Sequence, residues 1–180
     1  MDELVVSTDV YVAPGEAYEF LLDLPRYERY TEYLDRVSRT HGDGGPGTRY
    51  ALRFAWWKLS YTARSEVTAV TPPTRIDWRI RKDIDAGGAW VIEPLEELPA
   101  DAPDDAEVGS RVTLEIQFDP DSADSSSVSL PPLVSFGWVL DKATDLVAEE
   151  AERVVRRAVA DLEGSEREIS LSVRTDADAL

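Results

Sequence analysis

The stretch Leu133 to Glu163 contains no proline, and its apolar residues recur at Phe136, Leu140, Ala143, Val147, Ala151, Val154, Ala158 and Leu162. Steps of three and four draw one stripe along a helix. At the usual rise per residue, such a helix is about 46 Å long. An element with one apolar face must lay that face on another layer. Most of the chain upstream reads as strands, so the layer is expected to be a sheet.

Leu4 to Val12 alternates Val6, Thr8, Val10 and Val12 against Val5, Ser7, Asp9 and Tyr11, the pattern of a half-buried strand. Ala13-Pro14-Gly15 ends it, and Pro14 suits the first turn of a helix. Ala17, Phe20, Leu21 and Leu24 give that helix its apolar face, and Arg26 to Tyr33 reads as a second short helix. Strands follow at Leu34 to His41, Thr48 to Trp57, Ser60 to Val70, Thr74 to Arg81, Ala89 to Leu95 and Ser110 to Phe118, separated by glycine- and proline-rich turns. Strands joined by short turns make an antiparallel meander. Past Gly164 the chain is polar, although Ile169, Leu171 and Val173 have the alternation of an edge strand.

Composition narrows the function classes. Of 180 residues, 43% are hydrophobic, enough for one domain with a real core. There is no cysteine, which excludes disulfides, thiolate nucleophiles and cysteine metal sites. The net charge of -17 repels nucleic acid and anionic lipid. No apolar run approaches a membrane span, and the acidic start of the chain is unlike a signal peptide, so a cytoplasmic location without stable membrane insertion is expected. Lysine occurs only at Lys58, Lys82 and Lys142. Acid excess with scarce lysine resembles proteins of salt-loving archaea, whose carboxylates keep them hydrated. The alternative is an acidic face for a basic partner.

Several local patterns carry a resemblance. Val10-Tyr11-Val12-Ala13-Pro14 precedes an amphipathic helix, and Leu22-Asp23-Leu24-Pro25-Arg26-Tyr27 joins two short helices. Arg64-Ser65-Glu66-Val67, Pro72-Pro73-Thr74-Arg75-Ile76, Gly88-Ala89-Trp90-Val91-Ile92-Glu93-Pro94 and Ser110-Arg111-Val112-Thr113-Leu114 fall on the middle and late strands. Together with the element order they resemble the START/Bet v 1-like (SRPBCC) superfamily over roughly residues 3 to 163, in particular its polyketide cyclase/dehydrase-like and ubiquinone-binding coenzyme Q members. The resemblance implies an α+β helix-grip fold. A curved antiparallel sheet of about seven strands grips the long C-terminal helix, with two short helices after strand 1 and a hydrophobic cavity between them. It gives one ligand-binding domain over 1-164 and a polar tail over 165-180. The long acidic loop Glu96 to Gly109 and the connection Asp119 to Pro132 depart from the family pattern, and both lie near its expected cavity mouth.

Within that frame the candidate ligand-binding residues are Tyr30, Tyr33, Phe54, Trp56, Tyr61, Trp78, Trp90, Phe118, Phe136 and Leu140, each of which is otherwise read as plain core. Trp56 and Trp57 are adjacent and take opposite faces of a strand. His41, the only histidine, abuts a glycine turn and reads as a solvated loop residue, which removes any histidine triad. The acids between Glu93 and Glu107 match no calcium loop. No catalytic, metal-binding or cofactor-binding residue is assigned. The resemblance implies binding or transport of a lipid, quinone or polyketide-like molecule by a monomer or homodimer. The alternative is an aromatase/cyclase or dehydratase, which needs an inward polar group such as Tyr30, Tyr61 or Arg81. Arg79, Arg81, Glu115 and Gln117 are expected to face solvent.

Overall fold

The computed structural model describes residues 1–124, 126 and 132–176, without the side chains of 136, 137, 139–141, 143, 144, 147 and 148 in the long helix. Strand β1 (Asp2–Val10) leads into helix α1 (Pro14–Leu22) and a short 3-10 helix (Leu24–Arg29). Strands β2 (Leu34–His41), β3 (Arg49–Trp56), β4 (Leu59–Thr71), β5 (Arg75–Ile80), β6 (Asp85–Pro94) and β7 (Ser110–Asp119) follow. Helix α2 (Phe136–Glu163) and strand β8 (Leu171–Asp176) complete the order. All pairings are antiparallel, in the spatial order β2-β3-β4-β5-β6-β7-β1-β8. The sheet wraps the C-terminal helix in the helix-grip manner.

Two differences from the sequence reading concern the C-terminal helix and the strand after it. The helix starts at Phe136 rather than Leu133, because Ser135 caps it: its Oγ accepts the Trp138 N–H at 3.2 Å. Leu133 sits outside it at φ +70°, fully exposed. The sheet has eight strands, not about seven, because Leu171–Asp176 pairs with β1 from Thr8↔Leu171 to Glu3↔Asp176.

The sheet bends at identifiable places. The β4–β5 register shifts between Val67 and Ala69, a bulge that kinks the pair. Across the sheet, Gly87 and Gly88 of β6 let neighbouring strands close in. A Cβ on Gly88 would stand 1.9 Å from the Glu115 carbonyl oxygen and 3.0 Å from Trp78 Cζ2. The core gathers at one end of this trough. There Val10, Val12, Ala17, Phe20, Leu21, Val67, Ile76 and Ile92 pack together, with Val159 of α2 closing over them.

Side chains pin the C-terminal half of α2. Arg157 donates to the Tyr30 carbonyl at 2.9 Å, and the Tyr30 hydroxyl donates to Asp161 at 2.5 Å. Gly164 ends the helix in the left-handed conformation at φ +82°, donating to the Ala160 carbonyl.

Candidate functional site

The grip is incomplete. Between sheet, α1 and α2 lies a cavity of about 670 Å³, within the size range of small-molecule sites. Its origin is local. Helix α2 presents Ala151 and Ala158 to the sheet among larger neighbours, Leu146, Val154, Val155 and Leu162. A bent sheet retreats from a straight helix, and small side chains do not refill the space. Strand faces supply the opposite wall: Leu4, Val6 and Val10 from β1, Leu52, Phe54 and Trp56 from β3, and Val112, Leu114 and Ile116 from β7. Leu171 of β8 joins them.

Of the aromatic residues singled out by sequence, Tyr30, Tyr33, Phe54, Trp56, Tyr61 and Trp90 stand in this wall. Trp78 and Phe118 do not. Strand alternation assigns their face correctly, since Trp78 opposes Gly88 and Gly88 opposes Ile116. The Trp78 ring, however, is spent covering the Cβ-less patch at Gly88, and Phe118 lies one strand step beyond Ile116, past the cavity. The side chains of Phe136 and Leu140 lie outside the described residues. The loop Glu96 to Gly109 contributes nothing to the wall, because β6 and β7 turn at the opposite end of the sheet from β5 and β6. Of the two long connections, the one after β7 reaches the cavity, through Ala123 and Asp124.

Trp56 and Trp57 do not divide between two strand faces. Trp57 lies in the tight β3–β4 turn at φ +54°, 61% exposed. Both rings meet Trp138, Trp56 stacked at 6.1 Å and Trp57 edge-on at 6.2 Å. Arg81 lies outside the wall, held 2.9 Å from Glu66, which Arg79 and Arg49 also approach at 3.3 and 3.8 Å. His41 ends β2, exposed to solvent.

Polar groups in the wall are few. Tyr27 donates its hydroxyl to the Leu21 carbonyl and meets Trp90 edge-on at 6.4 Å. Burial first, then nearby phenols and Asp23, push its pKa far up. Burial and the hydrogen bond to Asp161 do the same for Tyr30. The Tyr61 hydroxyl is sealed from solvent without an acceptor at full bonding geometry. Burial, then the facing Asp83 carboxylate, raise its pKa. Sequence reasoning missed Asp83, Asp124 and Glu150 as wall residues. The signal was a Lys-Asp-Ile-Asp turn that reads as an ordinary polar connection.

These phenols set an alkaline limit. A raised folded-state value means that the native state keeps protons the unfolded chain releases. Stability is therefore complete below the ordinary value of 10.0 and falls as pH rises above it. For a buried phenol such as Tyr27 the slope is about 1.4 kcal/mol per pH unit. In an alkaline titration, phenolate absorbance should rise together with loss of the circular-dichroism signal. Full phenolate development in a still-folded protein would contradict this.

Residues 1–163 match the sequence profile of the family described as polyketide cyclase/dehydrase and lipid transport. Solved structures with the same fold include the Zhui aromatase/cyclase from Streptomyces sp. R1128, at TM-score 0.61 and 14% identity, covering 91% of this chain and 94% of that one. A START superfamily protein from Mycobacterium smegmatis aligns at TM-score 0.58 and 14% identity, over 89% of this chain and 99% of that one. A protein from Thermus thermophilus aligns at TM-score 0.57 and 17% identity, over 90% of this chain and 97% of that one. Among curated proteins none matches in sequence. Identities this low show the fold alone, whereas the profile spans nearly the whole chain. The long stripe, the bent sheet and the cavity between them agree with that match: the chain belongs to the polyketide cyclase/dehydrase and lipid transport family.

Proposed function

We propose that the protein binds a hydrophobic small molecule (a lipid, quinone or polyketide-like compound) in the cavity between the sheet and α2. The cavity itself carries this reading. Its size and its Leu, Val, Ile and aromatic walls would leave bulk water poorly hydrogen-bonded, and apolar surface there gains by meeting a ligand instead. Candidate contacts are Tyr30, Tyr33, Phe54, Trp56, Tyr61 and Trp90. The three lysines and the net charge of -17 support a high-salt setting.

Extracting protein purified from its native host and analysing the extract by mass spectrometry should reveal a bound apolar compound. The neutral dye Nile red should bind with a fluorescence rise. Ala151→Trp places a large ring in the void, so dye affinity should drop at least tenfold while Tm holds or rises. Extracts free of apolar compounds, together with equal dye binding by wild type and variant, would refute this reading.

An enzyme on the same fold is the second reading. The half-buried Tyr61, which faces the Asp83 carboxylate, favours it, as a phenol for proton transfer to a bound carbonyl compound.

A further inference from the structure

The chain has a net charge of -17, yet one face of its sheet is basic. Leu52, Phe54 and Tyr61 look into the cavity, so Arg53, Thr62 and the residues in step with them look away from it. In β2 to β5 this outer face carries Arg36, Arg49, Arg53, Arg64, Arg79 and Arg81, with small residues such as Ala51 and Thr62 between them. Two carboxylates stand among the six arginines. Glu66 lies 2.9, 3.3 and 3.8 Å from Arg81, Arg79 and Arg49, and Asp35 lies 3.4 Å from Arg53. Arg36 and Arg64 are exposed and make no ion pair among the described residues. At the rim Arg75 is neutralised by Asp77 at 3.0 Å.

Like charges sit side by side here. Arg36 stands opposite Arg53 in the β2–β3 ladder. Arg64 neighbours Arg81, whose N–H donates to the Arg64 carbonyl at 2.7 Å. Like charges facing each other across strands destabilise a sheet. Packing does not ask for them, since all four side chains are exposed. A carboxylate seated between the members of each pair would replace repulsion with charge-assisted hydrogen bonds, and the guanidinium fork suits a carboxylate.

The surroundings fix the size and kind of partner. Across the same face, β7 and β1 bring Glu115 and Glu3 in register with Ala89 and Gln117, so the basic area ends there. A nucleic acid would run on into that acidic surface, and the outer positions of β2 to β5 offer no phenylalanine, tyrosine or tryptophan on which a base could stack. An anionic membrane would meet the acidic flanks together with the arginines. A short peptide avoids both. The two like-charged pairs lie two strands and one alternate step apart, about 12 Å by strand geometry, and carboxylates four residues apart on one side of an extended chain span about 13 Å. We propose that the outer face of β2 to β5 docks a short, extended acidic segment of a partner protein, with carboxylates seated between Arg36 and Arg53 and between Arg64 and Arg81. This surface is separate from the cavity and does not depend on what the cavity holds.

Fluorescence anisotropy of a labelled peptide of alternating glutamate and serine tests the proposal, at the lowest salt at which the protein stays folded. The peptide should bind, should weaken as salt is raised, and should bind at least tenfold tighter than the same peptide with glutamine in place of glutamate. Arg36→Thr combined with Arg64→Thr removes one member of each like-charged pair and breaks no ion pair. The double variant should bind the glutamate peptide at least tenfold more weakly while its Tm holds or rises. Wild-type protein that binds neither peptide, or both equally, would overturn the proposal whatever the variant does. Undiminished binding by a folded double variant would overturn it as well. Tighter binding of an oligothymidylate of equal length, or of phosphatidylglycerol vesicles, than of the glutamate peptide would assign the face to nucleic acid or to a membrane instead.

Discussion

Replacing Glu163 with alanine should lower the unfolding free energy by about 3–5 kcal/mol, with an unchanged denaturant slope. A glutamate in the last turn opposes the helix dipole, so its location needs a tertiary reason. Its side chain is 7% exposed and accepts three hydrogen bonds: from the Tyr11 N–H at 2.8 Å and from Arg167 Nε and Nη2 at 2.7 and 2.9 Å. Arg167 in turn donates to the Asp9 carbonyl at 2.9 Å and lies 4.5 Å over the Tyr11 ring. One carboxylate thus fastens the end of α2 to the exit of β1 and to the approach to β8. Alanine would strand a half-buried guanidinium and a backbone N–H together. Urea unfolding reads the effect directly. A loss under about 1 kcal/mol would mean that water replaces the carboxylate without cost.

The second large effect is expected at Gly88. Gly88→Ala should cost about 3 kcal/mol or more, at the upper end for overpacking. The added methyl would lie 1.9 Å from the Glu115 carbonyl oxygen, and a β-sheet backbone cannot swing away as a side-chain tip can. Relief requires β6 and β7 to part, which breaks the pairing of Gly88 with Ile116 and loosens the ring of Trp78. Gly15→Ala is the matched control: its Cβ would meet nothing within 4 Å, and stability should hold or rise slightly. Thermal unfolding of the two variants should therefore diverge widely. Similar melting temperatures would show that the strand approach at Gly88 is not tight.

These two sites mark where the sequence stops being readable. The stripe of α2 and the alternation of β1, β3 and β7 follow from periodicity, because burial on one face acts on every third or second residue. Ala151, Val154, Ala158 and Leu162 face the sheet as that spacing requires. Gly88 and Glu163 carry no such signature. Each matters because of a partner outside its own element, the Glu115 carbonyl in one case and Arg167 with the Tyr11 N–H in the other. The cavity divides in the same way. Alternation identifies the face of Phe54 and Trp56 but not the distance to which the void extends, so Phe118 falls beyond it. Asp83 enters the wall through a left-handed turn residue, a conformation that no hydrophobic pattern encodes. The start of α2 at Phe136 depends on one serine hydroxyl rather than on the apolar stripe.

The place of β1 in the sheet has a consequence for how the chain acquires its shape. This first strand lies between β7 and β8, so both of its ladders wait for residues made much later. During synthesis, β2 through β6 can zip together as successive neighbours, while β1 emerges first and stays unpaired longest. Closing such long loops slows folding. The apolar face of β1 is therefore the segment most in need of protection from wrong partners while the ribosome is still at work.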